Sequence, residues 1–264
     1  MHLLAVPAFA DNYIWTLHDG RQAWVVDPGD AGPVCDVLES LGLELAGILV
    51  THHHADHVGG VAALQARWPL VTYGPVAERQ RITAPFQPVQ DGDRLTLGPL
   101  HFRVIDVPGH TAGHVAYVQC DAAGSTANIS RPLLFCGDTL FSAGCGRLFE
   151  GTAQQMHGSL SRLAGLPADT RVCCTHEYTL SNLRFARAVE PGNELIAGHQ
   201  ARCVALRDRG EPTLPSSIGM ELEINPFLRA TMPAVIESAR REGAASNDPV
   251  AVFGALRAWK DRFR

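Results

Sequence analysis

Four of the chain's twelve histidines crowd into residues 51–57, Thr51-His52-His53-His54-Ala55-Asp56-His57, directly after the apolar run of residues 47–51. Chance clustering explains such a run poorly. In an extended segment, residues two apart face the same way, so His52 and His54 converge on one point and His53 points elsewhere. His53 is therefore expected not to be a ligand. If Asp56 and His57 open the following helix, they sit to one side of that point and form a second ligand group, which makes two metal ions plausible. Imidazole and carboxylate suit Zn²⁺ and also Fe or Mn, and a catalytic site needs three or four such ligands per metal with a position left for water. The downstream candidates stand at strand-to-loop edges: His110 in VPGHTAGH, Asp138 in LFCGDTLF and His176 in VCCTHEY. A carboxylate can bridge two cations with its two oxygens, which makes Asp138 the natural shared ligand.

These side chains need a scaffold, and the chain can build one. Its 264 residues are 46% hydrophobic and 19% charged, enough for a real core in one large domain or two unequal ones. Up to about residue 175 the apolar runs are short, as at 12–17, 23–27, 47–51, 102–107, 115–119 and 132–138, and read as strands. Helical patterns interrupt them at about 33–42, 58–68 and 152–164, giving a mixed α/β layer architecture. Beyond residue 178 the apolar spacing turns helical, and Asp248-Pro249 forms an N-cap and first-turn pair. The only strand-like piece there is MELEINPF, residues 220–227.

No run of 18 or so uncharged apolar residues occurs, and the start of the chain has no cationic leader, so a cytoplasmic protein without a membrane span or signal peptide is expected. The formal charge of −5 has the wrong sign for neutralising many phosphates, so no nucleic-acid partner is expected, and no membrane partner either. Seven cysteines without C-x-x-C spacing, mostly in apolar runs, indicate no disulfide scaffold.

The elements T-H-H-H-A-D-H, G-H-T-A-G-H, G-D-T-L-F and T-H-E-Y, in this order and spacing, resemble the metallo-β-lactamase superfamily. Within it the chain resembles the glyoxalase II, or hydroxyacylglutathione hydrolase, family, through DNYIW at 11–15, AGCGRLFEGT at 143–152, HEYTLSNLRFA at 176–186, EPGN at 190–193 and NPFLR at 225–229. The resemblance implies an α/β fold, the αββα metallo-β-lactamase sandwich, with a helical C-terminal domain. Residues 1–178 would form the catalytic domain and 179–264 a mainly helical substrate-binding domain. It also implies that His52, His54 and His110 hold one metal and Asp56, His57 and His176 the other, with Asp138 bridging them. Catalysis would then depend on Asp138, Asp56 and His57. Asp27, ending the run at 23–27, looks like the family's acid that orients a ligand imidazole.

The cofactors implied are two divalent ions, zinc first, with iron or manganese also compatible. Two such cations lower the pKa of a bridging water from 15.7 to roughly 7, so a hydroxide nucleophile is available without a Ser or Cys. The implied substrate is S-D-lactoylglutathione, with related S-2-hydroxyacylglutathiones, cleaved to glutathione and D-lactate as the second step of methylglyoxal detoxification. Its leaving thiolate derives from a thiol of pKa about 8.5 and can depart unprotonated.

For glutathione, the single lysine, Lys260, lies three residues after Arg257 on a predicted helix face that could grip a carboxylate. Residues 229–264 carry seven basic and four acidic side chains, a local +3, whereas residues 1–228 carry 15 and 23. The family sets such an Arg-x-x-Lys pair against the glycine carboxylate, and the resemblance lays Arg147, Leu148, Phe149, His176, Glu177 and Tyr178 along the peptide. The family often has Tyr where Phe149 stands, so a hydroxyl contact is missing here and affinity is expected to differ with the reaction unchanged. A monomer is expected.

Other readings are weaker. His2, His18, His101, His157 and His199 read as ordinary packed histidines, His114 as a structural hydrogen-bonding group, and Cys136, Cys145, Cys173 and Cys174 as packing. A phosphodiesterase or nuclease meets the acidic charge, and a secreted lactamase meets the missing leader. A one-iron dioxygenase meets the retained Asp56, His57 and His176. A non-catalytic metal-binding scaffold meets the intact ligand set.

Overall fold

The apolar runs become strands in the computed structural model, which describes residues 1–120 and 131–263. The chain forms two units that interleave in sequence. The first comprises Met1–Asp106, Ala112–Gly137 and Cys173–His176; the second comprises Val107–Thr111, Asp138–Val172 and Glu177–Arg264.

The first unit opens with β1 (His2–Ala8), β2 (Asn12–His18) and β3 (Gln22–Val26), followed by α1 (Ala31–Leu41) and β4 (Glu44–Leu49). A short helix α2 (Ala55–Val58), α3 (Val61–Arg67), β5 (Val71–Pro75) and β6 (Gln87–Val89) complete its first sheet, in spatial order β1-β2-β3-β4-β5-β6. The first three strands pair antiparallel and the rest parallel. Strand alternation explains its two faces: Ala23 and Val25 of β3 join a core with Val34 and Leu38 of α1 and Val61 and Leu64 of α3. Each fully buried Val or Leu in that core stabilises the fold by roughly 1.5–3 kcal/mol. The second sheet of this unit runs β10-β9-β8-β7, all antiparallel: β7 (Arg94–Leu97), β8 (Leu100–Asp106), β9 (Val115–Cys120) and β10 (Leu133–Phe135). Tyr117 of β9, fully buried, donates its hydroxyl to Val50 O just beyond β4 at 2.8 Å, joining the two layers at the chain segment that carries the histidines.

The helix expected over 58–68 starts earlier and is broken. A first turn forms at Ala55 and the helix restarts at Val61, because Gly59 and Gly60 lie directly against the backbone of residues 28–31. A Cβ on Gly60 would stand 2.6 Å from Ala31 N, and Gly60 N donates to Pro28 O at 2.9 Å. That contact fixes α2, and with it Asp56 and His57, beside the end of β3.

The second unit contains a small hairpin, β11 (Leu140–Phe141) with β12 (Gly144–Cys145), then α4 (Ala153–Ala164), whose Thr152 and Gln155 form a capping box. Strand β13 (Arg171–Val172), α5 (Thr179–Val189) and α6 (Glu194–Asp208) follow, then β14 (Ser216–Ser217), paired antiparallel with β13. The last helices are α7 (Ile218–Ile224), α8 (Pro233–Arg241) and α9 (Pro249–Arg262). The Asp248 carboxylate caps α9 by accepting from Val250 N and Ala251 N, as the sequence leads one to expect.

The segment at 220–227 corrects the strand expectation. Residues 220–224 of it belong to helix α7, with Ser217 as N-cap and Ile218, Glu221 and Ile224 on the buried face, and the helix ends at the extended C-cap Asn225. The alternation of acidic and apolar residues fits a strand only if the glutamates face water, and Glu221 is fully buried. Its carboxylate accepts from Ala143 N at 2.7 Å, from Asn225 Nδ2 at 3.0 Å and from the Ser216 hydroxyl. Burial pushes its pKa above the ordinary glutamate value, against those bonds. All seven cysteines are free thiols, and no helix among the described residues is long and apolar enough to cross a membrane.

Candidate functional site

In the first unit the functional side chains hang from the ends of β3 and β4, the first turn of α2 and the segment 173–176. Asp27, one residue past β3, is held at φ 52° and nearly enclosed. A left-handed non-glycine backbone carries strain that its surroundings must offset. Here its carboxylate collects three hydrogen bonds: from Thr51 N at 2.7 Å, from Thr51 Oγ1 at 2.6 Å and from His57 Nδ1 at 3.0 Å. The Thr51 hydroxyl gives its one hydrogen to Asp27, so at 3.1 Å it accepts from His52 Nδ1–H. One carboxylate thereby fixes the tautomer of two rings, His57 directly and His52 through Thr51, leaving Nε2 of each as a lone-pair donor. His52 Nε2 faces His54 Nδ1 at 3.1 Å.

His176 is prepared in the same way by a residue the sequence reading missed: Asp11 Oδ1 lies 2.8 Å from His176 Nδ1. Segment 173–176 is docked along β2, where Tyr13 N donates to Thr175 O at 2.7 Å and Trp15 Nε1 to Cys174 O at 2.9 Å. With both Nδ1 atoms protonated, the Nε2 lone pairs of His57 and His176 each stand 3.6 Å from Asp56 Oδ2. Asn12 Nδ2, also missed, donates to that same oxygen at 3.0 Å. Two imine nitrogens and a carboxylate oxygen facing one another repel unless a cation lies among them, and this donor set suits a divalent metal. Asp27 also comes close enough to His52 and His57 to count as a donor, but its three hydrogen bonds make it an orienting group. His53 turns away to Glu78 Oε2 at 2.8 Å, and His114 donates Nδ1–H to Val115 O while stacking on His52 with ring centroids 4.5 Å apart. Gly137 is required beside them, since at φ 46° a Cβ would meet Thr51 Oγ1 at 2.4 Å.

The second unit holds His110 and Asp138. His110 Nδ1 donates to Arg147 O at 2.9 Å, so its Nε2 lone pair faces Asp138 Oδ2, 3.3 Å away. The strap 147–151 is clipped onto this histidine, with Phe149 N on His110 O at 3.3 Å and the Phe149 ring edge-on to the imidazole at 5.2 Å. His110 and Asp138 line a cavity of about 410 Å³ together with Arg147, Phe149, Tyr178, Arg257 and Lys260. Phe149 and Tyr178 present exposed aromatic faces, 61% and 38% accessible. Lys260 Nζ donates to Ser181 O and Oγ, both at 3.3 Å, above the Phe185 ring. Burial, then repulsion from Arg257 and Arg184, lowers its pKa to about 8. The side chains of Leu148 and Glu177 do not line this cavity; Glu177 spends its carboxylate on Thr213 N and Oγ1. His176 belongs to the first unit's cluster.

The sequence marks Asn225 only within the stretch at 225–229, and Glu221 only within the strand-like piece at 220–227. Together they hold the wall of the cavity: Asn225 Nδ2 donates to Phe141 O at 3.1 Å and Gly144 O at 2.9 Å, and Glu221 takes Ala143 N. The signal that could have found Asp11 and Asn12 is their place in the stretch at 11–15, whose polar pair precedes an apolar strand.

Comparison with known proteins gives a consistent picture. A family model described as metallo-beta-lactamase superfamily matches residues 11–176, and one described as hydroxyacylglutathione hydrolase C-terminus matches 177–263. A hydroxyacylglutathione hydrolase of Albidiferax ferrireducens is 54% identical over 263 residues, covering 100% of both chains. One of Cupriavidus taiwanensis is 54% identical, covering 98% of each. Among solved structures, ETHE1 from Myxococcus xanthus superposes with a TM-score of 0.63 at 25% identity, covering 98% of this chain and 97% of that one.

Proposed function

Because the chain belongs to the hydroxyacylglutathione hydrolase family, within the metallo-β-lactamase superfamily and its α/β fold, we propose that it hydrolyses S-D-lactoylglutathione and related S-2-hydroxyacylglutathiones to glutathione and the free hydroxy acid. The observation that carries this reading is the preparation of the histidines. Asp27 and Asp11 take the Nδ1 protons of His57 and His176, and both Nε2 lone pairs are turned on Asp56.

In this reading His52, His54 and His110 hold one divalent ion, Asp56, His57 and His176 a second, and Asp138 is shared between them, with zinc first and iron or manganese compatible with the same donors. When bound, such a pair supplies Lewis acidity and lowers the pKa of water toward roughly 7. The chain's own residues do the rest. Asp27, Thr51 and Asp11 hold the rings in the tautomer that offers a lone pair, so no reorganisation is needed on loading. Arg257 and Lys260 grip the glycine carboxylate of glutathione, and Tyr178 and Phe149 flank the peptide in the cavity that also contains His110 and Asp138. The leaving group is a thiolate whose parent thiol has a pKa of about 8.5, so its departure asks no proton from the protein. The division of labour at residue 178, chemistry before it and substrate recognition after, is part of the proposal and is supported by the boundary between the two family models at 176/177.

Purified protein is expected to consume S-D-lactoylglutathione with loss of thioester absorbance, and Asp138→Ala to abolish the activity. Metal-loaded protein that leaves the thioester intact overturns the proposal.

A further inference from the structure

Arg257 carries an almost fully enclosed charge, 5% exposed, in the cavity wall. Its Nη1 donates to Cys145 O at 2.8 Å and its Nη2 to Asp261 Oδ1 at 3.0 Å. Its Nε is buried with no hydrogen-bond partner among the described residues. A guanidinium offers a carboxylate two parallel N–H groups as a fork, and the edge made by Nε and Nη2 is one such fork. Here one prong rests on the protein's own carboxylate and the other on nothing. The two side chains are not equally free to move. Arg257 is tied to Cys145 and lies over the Phe227 ring at 5.1 Å, whereas the Asp261 side chain, one turn later on α9, is 47% exposed and also lines the cavity.

We propose that Asp261 is a specificity-determining residue for the thioesterase reaction: a resident carboxylate that neutralises Arg257 in the free protein and yields the Nε–Nη2 edge to the terminal carboxylate of the glutathione moiety. This inference rests on the cavity being the glutathione site. An enclosed cation needs a counter-ion at all times, and the exchange keeps it paired before and after binding. Each carboxylate ligand must displace the resident one, so its apparent affinity is reduced by that competition. A ligand without the carboxylate leaves Asp261 in place and escapes the competition.

The test measures binding of glutathione, and of glutathione amidated at its glycine carboxyl, to wild type and Asp261→Asn by calorimetry, with melting temperature recorded for each. Asp261→Asn is expected to tighten glutathione by about 2- to 5-fold, the worth of a half-exposed ion pair, and to leave the amide unchanged. Without ligand the variant should melt below wild type, and saturating glutathione should close the gap. Glutathione binding that is unchanged or weaker in the variant, as a purely scaffolding aspartate would give, overturns the inference, as does an equal gain for the amide. Either result leaves the proposed function standing if wild type binds glutathione and turns over its lactoyl thioester. Wild type that does neither overturns both.

Discussion

At the residue scale, the arrangement depends less on how many histidines there are than on which nitrogen of each ring is free. Asp27 serves two rings through one carboxylate, one directly and one through the Thr51 hydroxyl, and Asp11 serves a third. Asp11→Asn leaves a hydrogen-bond acceptor beside His176 but removes the charge that raises ring basicity. Loss of such a partner typically costs 10- to 100-fold in metal affinity, so zinc should be released at correspondingly lower competing-chelator concentration in this variant, with melting of the metal-free protein nearly unchanged. The histidines and Asp138 were legible because residue type and strand-end position both point to them. Asp11 and Thr51 were not, because a hydrogen bond to the far nitrogen of a ring leaves no periodicity and no spacing.

Lys260 belongs to the same scale. Burial and neighbouring arginines hold its pKa at about 8, below the ordinary lysine value. The free protein therefore carries the ammonium below that pH and loses it above. An anionic substrate binds the charged form better, so KM for a glutathione thioester should be flat below pH 8 and rise above it, while kcat changes less. Lys260→Gln should raise KM and remove the inflection. Steady-state kinetics from pH 6.5 to about 9.5 with wild type and variant checks both points.

At the scale of elements, the C-terminal helices show where sequence patterns mislead. The alternation in MELEI fits a strand only if its glutamates face water, yet Glu221 is enclosed and holds the β11–β12 hairpin through Ala143 N and Asn225. Removing the acceptor strands buried donors, so Glu221→Ala should destabilise the protein by about 2–4 kcal/mol. Glu221→Gln keeps an acceptor and removes a charge that burial disfavours, so it should cost about 1 kcal/mol or less. The linkage has a definite sign: a carboxyl whose folded pKa is raised destabilises the fold as pH rises through its unfolded value toward the folded one. The difference in stability between wild type and Glu221→Gln, read by denaturant unfolding, should therefore move in the variant's favour over that window. The split between α2 and α3 was equally hidden, because Gly59 and Gly60 answer to a backbone contact with residues 28–31 and not to helix propensity. Helices α4 and α9, by contrast, begin where their caps say they should.

At the scale of the whole molecule, the mixed α/β character and the helical C-terminal region were readable from the change of apolar period near residue 178. The interleaving of residues 107–111 and 138–172 with the last helices was not, since it reflects which surfaces dock and not how any one segment is patterned. The charge asymmetry was also readable, and Arg257 and Lys260 from the basic end of the chain line one cavity together with Arg147. The proposed hydrolysis requires two ions held by seven side chains. Its most direct test is turnover of S-D-lactoylglutathione by chelator-stripped protein titrated with Zn²⁺, free metal being buffered out. The activity should rise from zero and level off at two equivalents per chain; a plateau at one equivalent, or turnover that survives stripping, would contradict it.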